Sequence, residues 1–170
     1  MKRYTQRPFP GYSYVPGKNP HPSSSPAGHS YGQPEPEVAV FHPARWQDCE
    51  TYLFGIDLFN AGYYWEAHEQ FEAVWKAVGR SGDVADFLKG LIKLSAAGVK
   101  QLESRPEGFR RHMARAMTLF ELAEPQFPEG CGGLAPTEMR HATQVTLESG
   151  RLALQLAPGL SPSVSLEQDR

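Results

Sequence analysis

An all-α fold is predicted, an antiparallel bundle of about five helices with an extended proline-rich N-terminal arm wrapped on it. Three observations carry that expectation. Apolar residues recur at helical spacing in five successive stretches, prolines and glycines punctuate the chain between them, and the opening segment is too rich in proline for helix or sheet. The organisation that follows is an arm over 1–43, a helical domain over 44–157 and a short frayed tail over 158–170.

The arm holds nine of the 15 prolines, among them Pro8, Pro16, Pro26 and Pro43, so its backbone must be extended or turned. Ser23-Ser24-Ser25 and the glycines suit a solvated tail. Phe9, Tyr12, Tyr14, Val15, Tyr31 and Phe41 do not, and they predict that the arm lies over the bundle. A wrapped arm would be able to deliver His21 or His29 to carboxylates on a helix, although loop histidines usually have no such role.

Trp46, Cys49, Leu53 and Ile56 place the first helix over 45–59, and Asn60-Ala61-Gly62 folds it back on the second. The second helix spans 64–78, with Tyr64, Ala67, Phe71, Val74, Trp75 and Val78 as its core stripe and Gly79 as its stop. Asp83 opens the third, which runs to about Ser104. Gly90 and Gly98 inside it imply that a neighbouring backbone or an aromatic ring packs closely there, Trp65 and Trp75 being candidates for such a ring. Lys89, Lys93 and Lys100 fall opposite its apolar face and read as solvated. Pro106 starts the fourth helix, with Phe109, Met113, Ala116, Met117 and Phe120 inward and His112 at the edge of that face. Residues 125–136 form a linker whose glycines are too irregular for a phosphate loop, and Thr137 caps a fifth helix to about Leu156, weakened at Gly150. His141 has no evident partner.

Chemistry concentrates on the second helix. His68 and Glu72 are one turn apart at the edge of the core stripe, with Trp65 and Trp75 on either side, so Glu72 needs a donor or cation and His68 is the nearest. Glu69 and Glu66 project further round, towards solvent unless another segment covers them. One reading makes His68, Glu69, Glu72 and Glu66 ligands of zinc, manganese or iron, with Glu69 and Glu72 catalytic and Asn60, Trp65, Trp75, His21 and His29 in support. Neither HExxH nor paired Glu-x-x-His elements occur, so known helical metal sites are not matched. The alternative is non-catalytic: the same residues form a polar network that fixes helix packing, line a cleft for a small-molecule ligand, or belong to an assembly module in which Trp65 and the arm meet a second copy.

Composition narrows the partners. The 170-residue chain is 40% hydrophobic with a formal net charge of −2, which argues against a nucleic-acid or anionic-membrane surface. Cys49 and Cys131 have no CxxC spacing and should be free thiols. Polar residues follow Met1-Lys2-Arg3, and no run approaches a membrane span, so a cytoplasmic protein is expected.

Asn60, Gly62, Tyr64, Glu66, His68, Glu69, Glu72 and Trp75 together resemble the signature of an uncharacterised prokaryotic family, the domain-of-unknown-function family three hundred and nine. The resemblance resumes at Phe87, Leu88, Gly90, Leu91 and Ile92 and around Gly108 and Ala116, covering roughly 45–123. Pro16-Gly17, Pro20-His21-Pro22 and Gly28-His29-Ser30 resemble the leader of some members. It implies an all-helical domain, sometimes labelled a metal-dependent hydrolase on the same His and Glu residues. Lys89 and Lys93 stand where glutamines are frequent in that family, which alters the electrostatics of any site those positions line.

Overall fold

Five helices follow one another with short connections in a computed structural model that describes residues 2–38, 40–160 and 163–164. A 3-10 turn (Trp46–Asp48) leads into α1 (Glu50–Asn60), followed by α2 (Tyr64–Ala77), α3 (Asp83–Leu102), α4 (Pro106–Ala123) and α5 (Pro136–Ser149). Chain neighbours pack on one another: α1 on α2, α2 on α3, α3 on α4 and α4 on α5. The expected helical bundle is the observed architecture.

The reversals have a local cause. At the end of α1, Gly62 adopts φ 82°, while the Tyr63 N–H donates to Leu58 O and the Gly62 N–H to Phe59 O. The same pair of bonds, from Arg80 to Trp75 O and from Gly79 to Lys76 O, closes α2, with Gly79 at φ 92°. A left-handed residue just past the helix lets these bonds satisfy the last carbonyls, and glycine adopts it without a Cβ clash.

Tyr52, Phe59, Phe71, Phe87, Leu88, Leu91, Met113 and Phe120 are fully buried between the helices. The two α3 glycines do sit against aromatic rings, but neither is a tryptophan. A Cβ on Gly90 would lie 2.5 Å from Phe120, and one on Gly98 only 2.3 Å from Tyr64. The rings come from the core faces of α4 and α2, whereas the indoles lie nearer the surface.

Two boundaries differ from expectation: α1 starts at Glu50, behind the 3-10 turn, rather than at 45, and α5 stops early. Helix α5 ends at Ser149 because Gly150 turns left-handed at φ 71°, and Leu152, Leu154 and Leu156 are buried in extended chain instead. There β1 (Leu154–Gln155) pairs antiparallel with β2 (Ser163–Val164). Asn60 fixes this segment: its Nδ2 donates to Leu156 O at 2.8 Å, and its Oδ1 accepts from the Leu156 N–H at 2.7 Å. The expected frayed tail lies largely outside the described residues.

The arm wraps the bundle. Phe9 stacks on Tyr63 and Phe54 at 5.1 and 6.4 Å, and the Arg3 and Arg7 guanidinium groups cover the Phe9 and Phe54 rings. Further along, Ser13 Oγ donates to Gly62 O and Lys18 Nζ to Leu102 O. Helix α1, covered by the arm on one side and by the bundle on the other, is therefore buried at Thr51, Tyr52 and every position from Phe54 to Phe59. Among the described residues no helix is long and apolar enough to cross a membrane.

Candidate metal centre on the second helix

Helix α2 carries two polar faces with opposite surroundings. On the first, His68, Glu69 and Glu72 each offer a ligand atom, and these atoms all lie within 4.8 Å of one another. Helical spacing brings this about: Glu72 follows His68 by one turn, and Glu69 sits beside it. His68 Nδ1 lies 3.4 Å from Glu69 Oε1, yet that nitrogen is buried without a hydrogen-bond partner. Glu69 is about half exposed, so the group opens to solvent on that side. Two surface grooves lie elsewhere, one along Val38, Phe41, Val78 and Val84, the other along Lys100, Arg105, Gly108 and Arg111.

The indole walls expected around His68 take different parts. The Trp65 ring stacks near the His68 imidazole, with centroids 6.0 Å apart and planes 25° apart. Trp75 carries Lys89, whose Nζ is 5.7 Å from the ring centroid. Lys89, Lys93 and Lys100 are part-buried rather than freely solvated. Lys100 is ion-paired with Glu103 at 2.6 Å.

On the second face, Glu66 is 5% exposed because the arm covers it. Its Oε1 accepts from the Tyr14 N–H and from His29 Nε2, both at 2.9 Å, while Oε2 is buried without a partner. Nε2 of His29 therefore carries the hydrogen. Of His21 and His29, it is His29 that reaches a carboxylate, and Glu66 is engaged there rather than grouped with His68, Glu69 and Glu72. His21 reaches an indole instead: its ring stands edge-on to Trp65 at 5.6 Å, and its Nδ1 accepts from the Ser23 and Ser24 N–H groups. Asn60 is occupied with Leu156 and takes no part.

Two further groups matter. His112, on α4, has its pKa lowered by burial first and then by the charges of Lys93, Arg111, Lys100 and His68, so it stays neutral at neutral pH and lies within electrostatic reach of the group on α2. Sequence periodicity had placed it only at the edge of a face. Asp57, on α1, was missed altogether. It is fully buried and accepts from the Tyr4 N–H (2.8 Å), the Thr5 N–H (2.9 Å) and Thr5 Oγ1 (2.7 Å), with Arg3 Nε at 3.2 Å. A lone acid within the apolar run Leu53 to Phe59 was the available signal.

Cys49 and Cys131 are free and buried, and burial pushes the Cys131 thiol up to about 12, which leaves it protonated and unreactive.

The molecule is thus an all-helical bundle bearing an open cluster of one imidazole and two carboxylates on its second helix. Residues 52–112 match the family model described as Domain of unknown function (DUF309), the family that the signature on α2 resembles. The matched stretch begins in α1, contains all of α2 and α3, and ends at His112. No curated protein and no solved structure matched the chain.

Proposed function

We propose that His68, Glu69 and Glu72 bind a divalent metal ion and that the protein is a metal-dependent hydrolase. The observation that supports this reading is that one imidazole nitrogen of His68 and one oxygen each of Glu69 and Glu72 lie within 4.8 Å of one another, while His68 Nδ1 is buried without a hydrogen-bond partner among the described residues. Leaving such a nitrogen unpaired costs about 1–3 kcal/mol, a cost that coordination removes. The donor set, one nitrogen and two carboxylate oxygens, suits zinc, manganese or iron, and its two negative charges balance a dication.

Three protein ligands leave coordination positions free, as catalytic sites require and structural ones do not. A divalent cation held there supplies a Lewis acid and a water of lowered pKa, the nucleophile of a hydrolysis. The chain's own residues do the rest. The exposed side of Glu69 admits water and substrate. His112 on α4, held unprotonated by burial and its cationic neighbours, adds a neutral imidazole within electrostatic reach of His68. Lys89 and Lys93 add positive charge on the adjoining helix, which favours a substrate with an anionic group.

The test is hydrolysis of simple activated esters and phosphate esters by tag-free protein. Activity should vanish on chelation, return on adding zinc or manganese, and be absent in Glu72→Gln. Activity that survives chelation, or persists undiminished in Glu72→Gln, would contradict the proposal.

A further inference from the structure

We infer that the N-terminal arm is a working part of this centre: Tyr14 and His21 hold Trp65 against His68, and so set the direction in which the imidazole offers its nitrogen. The inference rests on the metal-binding reading above and adds to it residues that touch no metal.

Trp65 is boxed in. One ring partner, nearly parallel to it, is His68. Tyr14 stands edge-on to it at 4.9 Å and 83°, His21 edge-on at 5.6 Å and 78°, and these two arm rings meet each other at 5.2 Å. The indole cannot turn without displacing Tyr14, which is itself buried.

Tyr14 in turn is tied to the helix next door to Trp65. Its N–H bonds Glu66 Oε1, the oxygen that His29 also reaches, and His29 packs on Tyr12 with ring centroids 4.7 Å apart. The turn after it is closed by the Lys18 and Asn19 N–H groups on Val15 O and by Asn19 Oδ1 on the Val15 N–H. Arm and α2 are thereby joined at consecutive residues, Trp65 and Glu66, immediately before the ligand His68.

That join has a consequence for the imidazole. The terminal torsion of histidine is soft, so something must fix the ring plane if Nδ1 is to face two carboxylates. In metal sites a hydrogen bond to the second ring nitrogen commonly does this, and its loss typically weakens metal binding 10–100-fold. For His68 the orienting contact is the Trp65 ring. Residues 14, 21 and 65 are therefore positioning residues for the centre.

The experiment is a zinc titration of the full, tag-free chain in competition with a chromophoric chelator, with cobalt absorption as a second readout. Trp65→Leu and Tyr14→Ala should weaken zinc binding about 10–100-fold and shift the cobalt bands, while Trp65→Phe, which keeps a ring, should stay within about threefold. Thr5→Ala, at the far end of the arm, should lower Tm without changing affinity, which separates positioning from general stability. If Tyr14→Ala fails to fold, the Trp65→Leu and Trp65→Phe pair decides. Zinc affinity lost in His68→Ala but unchanged in Trp65→Leu would overturn the arm's role and leave the metal site standing. No binding of zinc, manganese or iron by the unaltered chain, in the same competition format, would overturn both.

Discussion

Asp57 and Glu66 on one side, and Glu69 and Glu72 on the other, are acids of the same helical hairpin treated in opposite ways. The first two are buried beneath the arm, and the chain brings them its own partners: three hydrogen bonds and the Arg3 ion pair converge on Asp57, and two hydrogen bonds fall on one oxygen of Glu66. The second two share a face with His68, whose buried Nδ1 has no hydrogen-bond partner among the described residues. Where the protein brings backbone and side-chain donors to a buried carboxylate it has made an anchor. Where it gathers carboxylates around an unsatisfied imidazole it has left room for something that is not part of the chain.

The contrast is breakable, beginning with the largest effect. Asp57→Ala strands the Tyr4 and Thr5 N–H groups and Arg3 in a buried setting, and should destabilise the fold by about 3–5 kcal/mol in urea unfolding. A loss under about 1 kcal/mol would mean that the arm is not anchored there. Glu66→Gln keeps an acceptor but removes the charge facing His29, so about 1–2 kcal/mol is expected, together with faster hydrogen exchange at the Tyr14 N–H.

His112 sharpens the picture through pH. Its folded pKa is depressed below the ordinary 6.5 of histidine, so the unfolded chain takes up a proton that the folded one refuses. Stability should hold above about pH 6.5 and fall as pH drops from there toward the folded pKa. His112→Gln should flatten that part of the curve, and an unchanged slope would show that another group is responsible.

The smallest effect belongs to the open face. In metal-free protein Glu72→Gln should change stability by no more than about 0.5 kcal/mol, since no donor among the described residues depends on it. A loss of 2 kcal/mol there would place Glu72 among the anchors and erase the distinction.

Much of the fold is legible in the residues. Helical spacing of apolar positions locates four of the helices to within a few residues, and the Gly62 and Gly79 stops are where the left-handed turns occur. The fifth helix was drawn too long because Leu152 and Leu156 fit its apolar face equally well as extended chain. Only the competition between helix and Gly150 at φ 71° decides the matter. Close packing at Gly90 and Gly98 is visible in the glycines themselves, but that the neighbours are the Phe120 and Tyr64 rings, rather than a backbone or the candidate tryptophans, is a property of how helices dock.

The site shows the same division. Neighbours along one helix, His68, Glu69 and Glu72, follow from a period of 3.6 residues. The aromatic arm announced that it would wrap, but its anchors lie 52 residues away at Asp57 and Glu66, and local patterns carry no information over that distance. That is why Glu66, grouped with the ligands by its place in the string, turns out to be held by His29 and Tyr14 instead.

The most direct test of the central claim is elemental analysis of the full chain purified without an affinity tag, beside His68→Ala prepared identically. The account predicts close to one equivalent of zinc, manganese or iron per chain in the first, and loss of that metal in the second at unchanged helical content. Metal-free protein that also fails to take up any of the three on dialysis against them would contradict it.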